Sequence, residues 1–350
     1  MSRRVLPAAP RILIVRLTAL GDAIHGLPVA CALRAALPQA TIGWVVEGRN
    51  AELLAGHPAI DHVIRTSRRW LKSPRAILEL RRNLRSLRFD VAIDMQSLTK
   101  SAIAARLSGA PRRIGMSGVE GREISTWLNN ELVAAQGIHV VDRYLSLLRP
   151  LEIESPAVRF NFPERSDDGS FADEMLNKLG LRPGAFAILN PGAGWPSKVW
   201  PADRYGEVAA RLSAACGLTS LAVWGAPSER PLAEAIVAAS RGAAQLAPST
   251  TVPQLAAICR RASLFLGSDT GPMHLAVAVG TPTISMHGPS VADRCGAYGP
   301  SNIRLQVRYH AGSSKERRQA DDSAMREITA DRAYEACCKL LGRMPQRHVA

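Results

Sequence analysis

The sequence predicts an α/β protein built from two Rossmann-like parallel-sheet domains facing a central cleft. Three observations carry that expectation. Short β-branched apolar runs alternate with longer stretches of helical period, as βαβ units require. The alternation comes in two sets, one in each half of the chain. Between them lies ESPAVRFNFPERSDDGSF (154–171), rich in Pro, Ser, Asp and Gly and without a clear period. The expected domains are 1–165 and 166–350, with the last helix able to pack back on the first domain. A chain of 350 residues, 47% of them hydrophobic, suits two domains and two sizeable cores.

The elements follow in order. MSRRVLPAAP reads as a short tail, because Arg11 and Arg16 bracket the apolar RILIV and no continuous apolar segment precedes a cleavage site. The first set of strands is RILIV (11–15), TIGWVV (41–46), HVIRT (62–66) and VAID (91–94), with a helical GLPVACALRAALP after the first. The second set is FAILN (186–190), TSLAVW (219–224), SLFLG (263–267) and TPTISM (281–286). Helical stretches ADRYGEVAARLSAAC, ERPLAEAIVAAS and TVPQLAAICRRA separate these. Strands buried on both faces by flanking helices read as continuous apolar runs, as these do. HAGSSKERRQADDSA (310–324) reads as a polar, mobile loop, and TADRAYEACCKLLGRM as a final helix.

No apolar run approaches the roughly 18–20 residues of a membrane-spanning helix. Six scattered cysteines without a CxxC pair suit a reducing compartment better than a disulfide framework. Cys337 and Cys338 read as helix residues. The formal net charge of +14 points to anionic partners: nucleic acid, an anionic membrane surface or a phosphorylated substrate. Nine basic residues and one acid, Glu79, lie between Arg65 and Arg88. That run is either a polyanion-binding face or a solvated arginine-rich surface.

Ligands of open α/β sheets bind outside the carboxyl ends of the strands, so the loops after the strands hold the candidates. RLTALGDAIHGLP sets Asp22 just past the first strand, without the GxGxxG of a dinucleotide site. Asp22 either caps a helix or faces the cleft as a base for a hydroxyl nucleophile. His25, one turn on, is a substrate contact or a satisfied buried histidine. PGAGWPSKVWP is either a simple Gly/Pro turn with an exposed lysine or a loop whose small residues, Ala193 and Gly194 among them, allow close backbone approach to a phosphate with Lys198 as its counter-charge. In GAPSER, Glu229 either caps a helix or accepts hydrogen bonds from sugar hydroxyls. The strongest signal is LFLGSDTGPMHLAVAVGTP. Asp269, Thr270, Gly271 and His274 surround a helix start with Pro272 set for its first turn, which is a diphosphate site in physical terms. The eight histidines show no ligand spacing, and no DxD-like pair sits in a promising loop. A diphosphate leaving group would then rely on Lys198 and helix dipoles instead of Mg²⁺.

These loops together resemble the ADP-heptose:lipopolysaccharide heptosyltransferases, a family of inverting GT-B-fold enzymes, over roughly residues 11–340. The motifs are RLTALGDAIHGLP, TIGWVVEGRNAELLAGHPAIDHVI, FDVAIDMQSLTKSA, NPGAGWPSKVWP, WGAPSER and SDTGPMHLAVAVGTPTISMHGPS. IDMQSLTKSA and the following GREIS resemble most the branch that adds the first heptose. The resemblance implies Asp22 as catalytic base and Lys198, Glu229, Asp269, Thr270, Gly271 and His274 as donor contacts. It implies acceptor contacts from basic residues of the first domain: Lys100 and Arg122, with Arg69 and Lys72 (and Arg65 and Arg68) beside them. Ala193 and Gly194 stand where the first-heptose enzymes carry paired hydroxyl residues, so backbone N–H groups would have to replace those contacts.

The expected activity is transfer of heptose from ADP-heptose to an anionic Kdo-lipid A acceptor, at the inner face of the cytoplasmic membrane, with no cofactor or metal. A different hexosyltransferase or a nucleotide-sugar 2-epimerase on the same fold stays open. So does a non-catalytic polyanion binder, although no RNP-like or helix-turn-helix signature supports nucleic-acid binding.

Overall fold

A computed structural model describes residues 6–48 and 50–342, in two compact units, 1–163 and 164–350. The first five residues of the expected tail, Arg343 and Met344 of the expected last helix, and His348 lie outside the described residues.

The first unit holds β1 (Arg11–Val15), β2 (Thr41–Glu47), β3 (His62–Thr66), β4 (Val91–Asp94), β5 (Arg112–Met116) and β6 (Glu131–Val133). They form one parallel sheet in the order β3-β2-β1-β4-β5-β6. Strand β1 is central: Ile12 to Val15 are fully buried, Val15 pairs with Val45 on one side and Asp94 on the other. The strand order reverses between β1 and β4, which opens a ligand crevice at their carboxyl ends. Helix Leu20–Ala36 crosses over from β1 and buries every residue from Ala23 to Leu33. Gly26 allows this close approach, since a Cβ there would stand 2.6 Å from Met95 and 2.8 Å from Trp44. Helix Pro74–Ser86 starts where Ser73 accepts a hydrogen bond from the Ala76 amide. It buries only Leu80 and Leu84 and leaves its arginines in solvent.

The second unit repeats the plan with β7 (Phe186–Asn190), β8 (Thr219–Ala222), β9 (Ala244–Leu246), β10 (Leu264–Ser268), β11 (Thr283–His287) and β12 (Ile303–Gln306). The parallel order is β12-β11-β10-β7-β8-β9, reversing between β7 and β10, where Gly267 pairs with Asn190. The last helix, Ala330–Leu340, packs on helix Ala202–Cys216 and on β10 to β12. Its Cys337 and Cys338 are buried in the core of this unit, with Arg211 stacked 4.0 Å over Tyr334.

Four strands lie beyond the eight expected. Strand β5, RRIGM, opens on two arginines that conceal it: Arg112 reaches Glu131 of β6 at 2.7 Å, and Arg113 bonds the Leu128 carbonyl at 2.8 Å. Strands β6, β9 and β12 are three or four residues long at sheet edges and carry polar residues, so their apolar signal is weak. The segment 310–324 is a second departure, since it forms helices Ser314–Gln319 and Ser323–Arg326 in place of a loop. Ser313 and Glu316 make a reciprocal capping box that nucleates the first of them. Asp167 and Asp168, read as linker residues, occupy the first turn of helix Ser166–Lys178.

Candidate functional site

In the first unit the crevice between β1 and β4 holds an ionic network around Asp22. Its Oδ2 accepts from the Ala19 amide at 3.0 Å, so the carboxylate closes the helix start. The same oxygen lies 2.6 Å from Arg16 Nη2. Asp22 nonetheless remains partly open: its side chain is 38% exposed, against 10% for Arg16. The capping role and an accessible carboxylate therefore coexist. Arg16 stands at the end of β1 under the Tyr144 ring, 5.5 Å from its centroid. Burial works against its charge, but Asp22, Tyr144 and Asp94 outweigh that and hold the guanidinium firmly protonated. Asp94, at the end of β4, is fully buried, and desolvation raises its pKa against hydrogen bonds from Asn129, Ser97 and Gln96.

The expected acceptor residues fall into separate places. His25 is buried and packs edge-on against His139 at 5.5 Å, which fits the reading of a core histidine. Lys100 is tied down: its ammonium pairs with the buried Glu47 of β2 and donates to the Arg68 carbonyl at 2.7 Å. Arg69, Lys72 and Arg122 are exposed, as are Arg65 and Arg68. The Arg122 amide donates to the Ser97 carbonyl at 3.1 Å. Three charged groups of this crevice, Arg16, Glu47 and Asp94, were not singled out from the sequence. Their only sequence signal is a charge at the end of a strand, where open α/β sheets gather ligands.

In the second unit the expected donor residues do come together. Lys198 Nζ donates to Asp269 Oδ2 at 2.7 Å and to its carbonyl at 3.1 Å. His274 Nε2 meets the other carboxylate oxygen at 3.1 Å. Burial alone would raise Asp269, but Lys198 and His274 prevail and hold its carboxyl well below the usual range. From β7, Asn190 donates to Thr270 Oγ1 at 3.3 Å and to the Gly192 carbonyl at 3.2 Å, tying the two loops together. Helix Gly271–Ala278 begins there with no side-chain cap on its first N–H groups, leaving them for an anion. Lys198 also lies 4.5 Å from the Trp195 ring, and Gly194 has open space around it. Ala193 is half-buried and Gly194 exposed. Glu229 accepts from the Gly225 and Ala226 amides at 2.9 and 3.1 Å, so it does cap the turn. It also abuts the phosphate loop: a Cβ on Gly192 would stand 2.7 Å from its carboxylate.

Among the described residues one group has ligand-like spacing, which no sequence interval betrays: Asp269, His287 and Cys295. Its chemistry does not suit a cation. Lys198 already neutralises the carboxylate, burial keeps the Cys295 thiol protonated, and Ser285 and Ser290 engage both ring nitrogens of His287. Burial also pushes the His287 pKa down to about 4.

A buried Lys–Asp–His cradle at a helix start, on a pair of six-stranded Rossmann-like units, invites comparison with known proteins. The family model described as "Glycosyltransferase family 9 (heptosyltransferase)" matches residues 77–325. Lipopolysaccharide heptosyltransferase 1 of Pseudomonas aeruginosa is 32% identical over 84% of this chain and 83% of its own length. Its Escherichia coli K12 counterpart is 28% identical over 84% of this chain and 92% of its own. Among solved structures, a family 9 glycosyl transferase from Veillonella parvula aligns with a TM-score of 0.80 at 22% identity, covering 97% of this chain and 99% of that one. The E. coli heptosyltransferase WaaC with ADP aligns with a TM-score of 0.72 at 24% identity, covering 95% and 98%. Those likenesses show the fold, two Rossmann-like units of the GT-B class. With the family model covering most of the chain and the Pseudomonas relative 32% identical over 84% of it, the protein belongs to glycosyltransferase family 9, the heptosyltransferases.

Proposed function

We propose that this glycosyltransferase moves heptose from ADP-heptose to the Kdo-bearing lipid A inner core of lipopolysaccharide by a single inverting displacement without a metal ion. The observation that carries the reading is the Lys198–Asp269–His274 cradle at the start of helix Gly271–Ala278. The names of the relatives supply the sugar: heptosyltransferase 1 in both Pseudomonas and Escherichia.

Each residue has a role. Asp22 takes the proton from the acceptor hydroxyl as that oxygen attacks the anomeric carbon, and Arg16 holds the carboxylate in place. The departing ADP carries its new charge onto Lys198 and the helix N–H groups, with Asp269 and His274 orienting the ammonium. Glu229 accepts from the ribose hydroxyls, and the Ala193 and Gly194 backbone lies against the phosphates. Arg69, Lys72, Arg122 and Lys100 form the basic side that an acceptor rich in carboxylate and phosphate would meet. His25 supports the helix that carries Asp22. The acceptor sits in the cytoplasmic leaflet, so the protein works as a peripheral protein at that surface.

The test is mass spectrometry of products from ADP-heptose, ADP-glucose, UDP-glucose and GDP-mannose, each with a delipidated inner-core acceptor. The expected result is one added heptose, from ADP-heptose alone and undiminished by EDTA. Preferred use of another donor, release of an epimerised sugar, or loss of transfer in EDTA would overturn the reading.

A further inference from the structure

The segment 117–128, between β5 and β6, exposes three apolar side chains within nine residues: Val119 at 88%, Ile124 at 47% and Trp127 at 87%. It is a built structure, held by several bonds to one place. The Arg122 amide and the Ser125 hydroxyl both donate to the Ser97 carbonyl, at 3.1 and 2.9 Å. Glu123 accepts from the Thr99 amide at 3.0 Å, and Glu120 pairs with Arg143 at 3.0 Å. The next residue, Lys100, bonds the Arg68 carbonyl, so the arginine-bearing segment 65–72 reaches the same helix start. Apolar side chains and cations therefore converge there: among the described residues Arg65, Arg68, Arg69 and Lys72 have no ion-pair partner, and Arg122 stands beside the exposed Glu123.

We propose that this face of the first unit docks on an anionic lipid bilayer, with Val119 and Trp127 entering the headgroup layer and the arginines resting on the phosphates. The inference names the partner of the acceptor side and rests on the reading of the acceptor as lipid-linked. A solvated arginine face explains the cations but not a tryptophan held almost wholly in water. A headgroup layer satisfies both, since an indole favours that boundary and guanidinium groups pair with phosphate. Apolar insertion and cationic attraction reinforce each other, as stable peripheral binding requires.

The test is co-sedimentation of the full chain with vesicles of phosphatidylcholine, with and without phosphatidylglycerol, alongside tryptophan fluorescence. Wild type should bind only the anionic vesicles, weaken with salt, and show a blue shift. The Val119→Ser/Trp127→Ser variant, both sites lying at the surface, should keep its circular dichroism, lose the blue shift and bind roughly tenfold more weakly. Equal binding by wild type and variant overturns the proposal, as does equal binding to neutral vesicles. Self-association of wild type that the variant abolishes, without vesicle binding, overturns it in favour of a second copy of the chain. Transfer to the delipidated acceptor separates the two ideas. A wild type that transfers heptose but ignores vesicles sinks only the docking face, and one that binds vesicles through Trp127 yet transfers nothing sinks only the proposed activity.

Discussion

Replacing Lys198 with methionine removes the ammonium while keeping most of the side chain's volume. The partner, Asp269, is then left as a carboxylate only 9% exposed, with no cation as near as Lys198 was and only His274 and the Cys295 thiol bonded to it. Breaking a buried pair by deleting one member costs about 3–5 kcal/mol, because the remaining charge keeps its desolvation penalty. For a unit of this size that corresponds to a drop of about 6–20 °C in Tm. The loss should depend on pH. In the wild type the Asp269 pKa is depressed, so its contribution is present above the ordinary carboxylate pKa and fades as pH falls through the folded value. In the variant burial dominates and raises that pKa, so acid relieves the penalty by protonation. The gap in Tm should therefore narrow as pH falls below about 5. ADP affinity should fall by about 10- to 150-fold, the equivalent of one hydrogen bond to a charged group. Adding Asp269→Asn should restore most of the stability and none of the ADP affinity. Scanning calorimetry and titration calorimetry read the two quantities. A Lys198→Met protein that melts within a degree of wild type, or a double variant no more stable than the single, would refute the reasoning.

Two further outcomes are expected. Asp22→Ala should fold, since the side chain is partly solvent-exposed, and should lower kcat by about 10²–10⁴ with ADP affinity unchanged; wild-type turnover would remove Asp22 from the mechanism. His287, pushed down to about 4 by burial, must charge on acid unfolding. Its contribution is complete above pH 6.5 and is lost as pH falls through 4, on the order of 3 kcal/mol. His287→Gln should flatten the stability profile across that window, and parallel wild-type and variant profiles in urea titrations would contradict the assignment.

The central strands were legible because a strand covered on both faces has to be apolar throughout: RILIV, FAILN and SLFLG announce themselves. Strands at a sheet edge or next to it face that demand only in part. Strand β5 carries Arg112 and Arg113, whose charges are met by Glu131 and by backbone carbonyls that only the folded chain brings near. The donor cradle was legible for a related reason. Asp269, Thr270, Gly271 and His274 lie within six residues at a strand-to-helix junction, where local geometry alone makes an anion site.

What the sequence determined by itself was therefore local: two parallel-sheet units, the loops that bear ligands, and the residue types suited to a diphosphate. The tertiary structure decided which distant charges meet. It brought Lys198 to Asp269 across 71 residues and tied Lys100 to Glu47 and away from open solvent. It also gathered Val119 and Trp127 beside unpaired arginines, which no spacing in the chain foretells. The physical reason is range. Helical period and strand burial act over a few residues, whereas ion pairing and desolvation depend on distances that only the packed sheets define.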